Sequence, residues 1–333
     1  VGEQNPTVLR PLKELKGYAK VLLKKGESER VTLHLDNDAF AFYDVNCHDW
    51  RVNPGKFNIY VGASVEDIKL ETQVTVGSAG NELKVLSYNI RVISAKDGDN
   101  QWKHRAAASP AMIRDCAPDV FGLQEALPEQ VKYMSESLKE YSCIGVGRDD
   151  GVSKGEHMSI FYNNATVELN DWGTYWLSET PDVPSKGWDA AYKRTATWAL
   201  MTMKDSGRKF FYVNTHLDHS GREAQRKGLD LIVWKIAEMN KDGLPMVLTG
   251  DFNVEPDNPV LDELDERMSS ARASAGKTDN IGTYNGWGTR ALVIDYIYHS
   301  GFSLCRDYCT IVRQYEGVPY ISDHYPIMSN LVF

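Results

Sequence analysis

No apolar run in this sequence approaches the roughly 20 residues that a membrane-spanning helix needs. Cysteine is scarce: the five (Cys47, Cys116, Cys143, Cys305 and Cys309) are an odd number with no CxxC pair, which argues against a structural zinc site. A basic excess is also missing. The formal net charge is -9, with ten basic against eleven acidic residues up to residue 80 and 27 against 35 beyond it. That balance argues against a broad electrostatic grip on duplex nucleic acid, although a bound divalent cation would change the local field. The chain opens on Val1 with neither Met nor a signal-like segment, so a targeting peptide is expected to have been removed or to lie outside this sequence. What remains is a globular composition, 42% hydrophobic and 25% charged over 333 residues, enough for two domains.

The first part, residues 16–76, alternates short apolar runs with turns: "GYAKVLL", "RVTLHL", "AFAFYD", "KFNIYVG" and "IKLETQVTV". This spacing predicts strands of an antiparallel sandwich. "VGSAGNE", residues 76–82, is small and polar and reads as the linker, giving domains at 1–78 and 82–333. Beyond it, strands interleave with helices. Strands are predicted at 83–90, "SIFYNN", "ATWALMTM", "KFFYVNTH", 244–249, "VIDYIYHS" and "YPIMSNLVF". Helices are predicted at 128–139, with Val131, Met134 and Leu138 on one side, and at 222–239. Ser109-Pro110 reads either as a capped helix start or as a kink in a helix running from Trp102. Cys305 and Cys309, four apart, are spaced for a bridge or for two small buried side chains.

"LTGDFNVEPD", residues 248–257, ends a buried strand abruptly in Asp251 and Asn253. The pattern recurs: Asn89 in "LSYNIR", Glu125 in "FGLQEAL", His216 in "VNTHLDH", Asp295 in "VIDYIY", Asp323 and His324 in "ISDHYPI". A turn explains any one of them, but six apolar strands ending in a carboxylate, amide or imidazole are the parts of a metal-assisted phosphoester hydrolase. Hard carboxylate oxygens suit magnesium. A second carboxylate can orient or deprotonate a water, and amide and imidazole donors stabilise charge on phosphoryl oxygens.

On these motifs, and above all "GDFN" with a terminal "SDHYPI", residues 82–333 resemble the endonuclease/exonuclease/phosphatase superfamily of magnesium-dependent phosphoesterases. The resemblance implies an α/β fold, a four-layer α/β/β/α sandwich with the site at one edge of two face-to-face sheets. It implies that Glu125 binds magnesium, or manganese in its place, with Asn89 beside the metal. Asp251 would position the attacking water, Asn253 steady the phosphoryl group, and His324 contact the phosphate under the orientation of Asp295. Asp323 would lie near metal or water, and His216 on the phosphate side. "GRDDG", "GEHMSIFY", "TYWLSETPDVPSKGWDAA" and "KRTATW" resemble a bacterial, often secreted branch, which implies a periplasmic or extracellular setting. Among these loops, Arg91, Arg194 and Arg222 are candidates to neutralise a phosphate. Glu156 and Asp218 are candidates to accept from a sugar or inositol hydroxyl, and Trp176 and Trp188 to stack on a ring.

The N-terminal segment resembles the fibronectin type III-like domain of family-three glycoside hydrolases, carried by "RPLKELKGYAKVLLKKGESERVTLHL", "DAFAFYD" and "PGKFNIYVGASVEDIKL". That family's first strands precede the position of Val1, so a smaller, partial β-sandwich-like domain is expected. It would be a piece of a longer protein, or one whose missing layer comes from a neighbouring domain or another chain. The leading functional expectation is a phosphoesterase acting on a phosphorylated small molecule, a sugar or inositol phosphate, a lipid head group or single-stranded nucleic acid. The alternatives are a nuclease, deadenylase-like or deoxyribonuclease-like, and, from another class, a non-catalytic binding module.

Overall fold

The computed structural model describes residues 1–6, 8–45, 49–53, 55–77 and 81–333. Cys47 and the middle of the expected linker, 78–80, lie outside them. The chain divides into two compact units, Val1–Asn81 and Glu82–Phe333.

In the first unit, β1 (Gly2–Glu3), β4 (Gly55–Gly62) and β5 (Ile68–Val76) form an antiparallel sheet in the order β1-β4-β5. Separately, β2 (Phe42–Asp44) pairs with β3 (Asp49–Arg51). The core is small: Ala39, Phe40 and Phe57, with Val1, Leu35, Val52, Ile59, Val74 and Val76 against it. The strands expected in "GYAKVLL" and "RVTLHL" do not form. Residues 11–35 join no ladder, and Leu12, Leu15, Tyr18 and Leu22 are exposed. Their β-forming composition has no neighbouring strand among the described residues to pair with. Arg10 anchors the start of this stretch through Glu3 and Glu14, at 3.0 and 2.7 Å.

The second unit is a four-layer α/β/β/α sandwich. Its elements are β6 (Glu82–Asn89), α1 (Trp102–Arg105), α2 (Ala108–Cys116), β7 (Val120–Gln124), α3 (Pro128–Ser137), β8 (Tyr141–Ile144), β9 (Ile160–Asn163), β10 (Val167–Trp176), β11 (Thr195–Met203), β12 (Lys209–His216), α4 (Arg222–Met239), β13 (Met246–Asp251), α5 (Asp262–Arg267), β14 (Ser269–Ser270), α6 (Ala271–Ser274), β15 (Asp295–Ser300), β16 (Leu304–Thr310) and β17 (Ile327–Val332). Two six-stranded mixed sheets result, in the orders β16-β17-β6-β7-β9-β8 and β10-β11-β12-β13-β15-β14.

Strand side chains alternate between faces, so each strand contributes to two layers. Val85, Val120, Ile160, Tyr212, Val247 and Ile297 meet between the sheets. Phe211, Val213, Met246, Leu248, Tyr296 and Tyr298 face the other way, onto Leu229, Ile232, Val233 and Ile236 of α4. On the opposite outer face, the Tyr88 hydroxyl of β6 meets Ser109 Oγ of α2 at 2.9 Å. Ser109 is therefore not a helix cap: α2 begins one residue earlier, after a break from α1, and Pro110 sits inside its first turn. Cys305 is a free buried thiol, so it is not bridged to Cys309.

The layer between the sheets changes character along the strands. Following the same face, β6 runs Val85, Ser87, Asn89; β12 runs Tyr212, Asn214, His216; β13 runs Val247, Thr249, Asp251. Hydroxyls and amides in the middle tie the sheets together. Asn214 Nδ2 donates to the carbonyls of Leu123 and Ser159 at 2.8 and 3.1 Å, and Gln124 Nε2 donates to Asn214 Oδ1 at 2.7 Å. Gly122 makes room for this bridge, since a Cβ there would stand 2.4 Å from Asn214 Oδ1. Ionisable groups gather at the far end.

Candidate active site

Register brings the polar strand ends abreast. His216 pairs with Asp251 across β12 and β13, and Asp251 pairs with Asp295 across β13 and β15. In the facing sheet, Asn89 pairs with Gln124, and Glu125 follows at once. Three residues just past strand ends adopt the left-handed conformation without being glycine: Arg91 (φ 59°), Glu125 (φ 62°) and Asn253 (φ 56°). Each such residue costs on the order of 1 kcal/mol or more, and three together at one edge mark a place where side-chain direction outranks backbone comfort.

The groups converge closely. Asn89 Nδ2 donates to Asp251 Oδ2 at 2.9 Å and Glu125 Oε1 at 3.1 Å, so one amide joins carboxylates from both sheets. Glu125 Oε2 accepts from Val92 N at 2.9 Å, and Asp251 Oδ1 from Asn253 N at 3.0 Å. His324 Nδ1 donates to Asp295 Oδ2 at 2.8 Å, while its Nε2 lies 3.7 Å from Asp251 Oδ2. His216 Nε2 lies 3.5 Å from the same Asp251 oxygen. The amide hydrogens of Asn253 go to His216 Nε2 at 3.0 Å and Leu217 O at 3.1 Å, so here Asn253 holds the imidazole directly. With Nε2 accepting, the remaining imidazole proton of His216 sits on Nδ1, which is buried and has no hydrogen-bond partner among the described residues.

Electrostatics separate the two histidines. Burial opposes charge on His324, but Asp295 and then Asp251 outweigh it and raise its pKa to about 10, so it is an imidazolium at neutral pH. Burial, followed by Arg194 and Arg148, drives His216 well below its ordinary value, so it is neutral. Burial and the neighbouring Asp295 raise the pKa of Asp251, against the pull of His324. Burial likewise raises Asp323, against His324 and Arg91.

The remaining expected residues sort by their bonds. Arg91 is held by Asp97 through two bonds of 2.9 and 3.0 Å, with Asp323 at 3.5 Å, so its charge is already met. Asp218 Oδ1 accepts from the backbone of Ser220 and Gly221, and Oδ2 from Ala191, Tyr192 and Arg194. No lone pair is left facing a ligand; Asp218 ties two loops together instead. Trp176 is 5% exposed and donates from its indole to Arg148 O, so it packs and does not stack on a ligand. Arg222 stands exposed at the start of α4, and no hydrogen bond or ion pair among the described residues joins it to this cluster. Trp188 is half-buried beneath Lys227. Glu156 is drawn in, 4.0 Å from His216 Nδ1.

Two arginines escape a sequence reading. Arg148 pairs with Glu156 at 2.7 Å. Arg105 is buried between Trp102 and Trp287 and donates to the carbonyls of Ile90, Arg91, Asn100 and Ile321, clasping the end of β6 to the loop that carries Asp323 and His324. Arg148 stands in "GRDDG", where the glycines hint at a shaped loop. Nothing local distinguishes Arg105 from an ordinary helix-surface arginine.

Comparison with known proteins agrees with this fold. The model of the Endonuclease/Exonuclease/phosphatase family matches residues 86–324, and that of the Fibronectin type III-like domain matches residues 1–65. Among solved structures, the chain is similar to an endonuclease/exonuclease/phosphatase family protein from Bacteroides thetaiotaomicron, with 35% identity and a TM-score of 0.72 over 76% of this chain and 98% of that one. It is also similar to a mannosyl-6-phosphatase of the same organism, with 36% identity and a TM-score of 0.72 over 75% of this chain and all of that one (100%). The N-terminal part is similar to thermostable beta-glucosidase B of Acetivibrio thermocellus, 42% identical over 92 residues, a match that spans 28% of this chain and only 12% of that enzyme.

Proposed function

The chain belongs to the endonuclease/exonuclease/phosphatase family, whose members hydrolyse phosphoester bonds, and on that premise we propose that it is a magnesium-dependent phosphatase acting on a phosphorylated sugar. The observation that carries the reading is the pairing of a buried acid, amide and imidazolium cluster with a wall of paired charges beside it, Arg148 with Glu156 and Arg194 with Asp218. A groove for a long polyanion would leave its cations free; here each guanidinium already faces a carboxylate. The 36% identical mannosyl-6-phosphatase points the same way.

The donor set fits a divalent cation. One ligand atom each of Glu125, His216 and Asp251 lies within 4.8 Å of the others, and burial, then Asp295, with Glu125 adding to them, raises the proton affinity of Asp251. Glu125 would hold the ion, with Asn89 beside it and Asp323 supporting them. Such an ion would supply charge neutralisation at the phosphoryl oxygens. The chain's own residues do the rest. Asp251, its proton affinity raised by burial, accepts a proton from the attacking water. The His324 imidazolium, fixed through Nδ1 by Asp295, donates from Nε2 to the phosphoryl group as its charge builds. Neutral His216, locked by Asn253, presents Nδ1–H as a hydrogen-bond donor on the leaving side, and the leaving oxygen takes its proton from solvent as its bond to phosphorus breaks.

Phosphate release from mannose 6-phosphate and p-nitrophenyl phosphate, compared with hydrolysis of bis-p-nitrophenyl phosphate, tests the reading in magnesium and in excess EDTA. Monoester turnover that EDTA abolishes is expected. Preferential cleavage of the diester would sink the phosphatase reading in favour of a nuclease, and turnover indifferent to EDTA would sink the metal.

A further inference from the structure

The wall beside His216 carries more detail than general polarity. Arg148 and Glu156 stand on one loop, which spends its own bonds on holding them. Arg148 N donates to Glu156 O at 3.0 Å, Asp149 N to Lys154 O at 2.9 Å, and Asp150 Oδ1 accepts from the backbone of Val152, Ser153 and Lys154. Gly155 turns the loop at φ +84°, where a Cβ would come within 2.6 Å of the Asp149 carboxylate. From outside, Trp176 Nε1 and Lys193 Nζ donate to the carbonyls of Arg148 and Asp149 at 2.7 and 2.8 Å. The Arg148 guanidinium lies over the Tyr192 ring, 5.2 Å from its centre. This is a preorganised mount.

Its working atoms are left over. Glu156 Oε2 takes Arg148 Nη1, while Oε1 accepts no hydrogen bond among the described residues. Arg148 Nε and His216 Nδ1 are buried donors without hydrogen-bond partners among the described residues. Unmet buried donors cost on the order of 1–3 kcal/mol each, so an ion pair that carries one of them, with the other 4.0 Å from its carboxylate, is built to be completed by something else. Because the two charges of the pair cancel, the completing group is neutral. An adjacent donor and acceptor complement neighbouring hydroxyls, each of which both donates and accepts.

Resting on the sugar-phosphatase reading, we propose that Arg148 and Glu156 are specificity-determining residues that read hydroxyls of the sugar on the leaving side of the phosphate, with His216 Nδ1 as the contact next to them. A site made to bond a hydroxyl rejects analogues that lack it far more strongly than an apolar pocket does, because its own groups are left unpaired. The preference for a sugar phosphate over an aryl phosphate therefore resides in this pair.

The test compares kcat/KM for mannose 6-phosphate, glucose 6-phosphate and 2-deoxyglucose 6-phosphate with that for phenyl phosphate. It uses the full chain, its Glu156→Gln variant, which keeps the shape, and Arg148→Lys, with thermal melts to establish that both variants fold. The ratio of sugar-phosphate to aryl-phosphate kcat/KM is expected to fall by about 30-fold or more in each folded variant. A folded variant with an unchanged ratio overturns the proposal, because a merely structural role lowers all substrates together. If the unaltered protein cleaves phenyl phosphate but none of the three sugar phosphates, the sugar-phosphatase reading itself falls and the proposal with it. Sugar turnover without a change of ratio refutes only the role of the pair.

Discussion

"RVTLHL" at residues 30–35 and "ELKV" at 82–85 carry the same alternation of β-branched or aliphatic residues with polar ones. In the second unit that alternation becomes β6, paired on both sides, with Leu83 and Val85 fully buried. In the first unit it becomes no strand at all, and Val31 and Leu33 stay 43% and 47% exposed. The difference lies in the partners. A strand is stabilised by cross-strand neighbours and a face to bury, so an alternating sequence states what a segment can do, and the presence of a ladder decides whether it does so. The two units are therefore specified to different degrees: the second by two sheets, shared cores and a buried polar bridge, the first by a short core around Phe57.

The largest effect that would sharpen this contrast belongs at the polar end of the second unit. Asp251→Asn is expected to lower kcat on p-nitrophenyl phosphate about a thousandfold, within the range for loss of a general base. The melting temperature should hold or rise, because the variant removes a buried carboxylate from beside Asp295. A folded Asp251→Asn protein with more than a tenth of the original kcat would break the assignment of the base. Smaller, and purely structural, is Gly122→Ala. Its new Cβ meets Asn214 Oδ1 at 2.4 Å and Thr249 Oγ1 at 2.9 Å, and a destabilisation of about 1–3 kcal/mol is expected in urea unfolding.

Asp218 gives the comparison a pH axis. Burial opposes its charge, but the backbone N–H groups of Gly221, Ser220 and Ala191, together with Arg194, lower its pKa to about 2. An unfolded Asp titrates near 4. The folded value is the lower one, so Asp218 contributes its stability above about pH 4, and that contribution is lost as pH falls towards 2. The loss amounts to about 2 kcal/mol. Unfolding free energy measured from pH 6 to pH 2 should fall less steeply in Asp218→Asn than in the unaltered protein. Equal slopes would show that the folded carboxylate is not held down.

Much of the site could be read from sequence because strand periodicity does the placing. Asn89, His216 and Asp251 each end a strand, and Asp295 opens β15 instead of ending it, all on a face whose parity can be counted to Val85, Tyr212, Val247 and Ile297. Helix and strand limits such as Arg222–Met239 and Lys209–His216 are also legible, the first from a long helical period and the second from a continuous apolar run closed by polar residues. Arg148 and Arg105 did not, since a loop or helix arginine looks alike in sequence whether it is solvated or buried, and only the fold brings four carbonyls around one of them. Asp218 and Trp176 show the converse. Both are polar or aromatic residues near the site whose partners, backbone N–H groups and a carbonyl, leave no trace in residue identity. The unformed strands in 11–35 belong to a third kind of failure, in which the local signal is sound and the partner is missing.

The smallest expected effect tests that last point most directly. Gly55 opens β4 in the first unit, opposite Val76, as Gly122 lies within β7 in the second. The same substitution, Gly→Ala, adds the same methyl to a strand in each, but at Gly55 nothing lies within 4 Å of the added Cβ. Removing a glycine also restricts the unfolded chain, which favours the folded state by a few tenths of a kcal/mol. Gly55→Ala is therefore expected to change stability by no more than about 0.5 kcal/mol, in the stabilising direction. Hydrogen exchange at the amides of β4 and β5 would report it locally, free of the unfolding of the larger unit. A loss there as large as that from Gly122→Ala would mean that the open face of β4 is covered by packing against something in solution, and that the first unit is as tightly specified as the second.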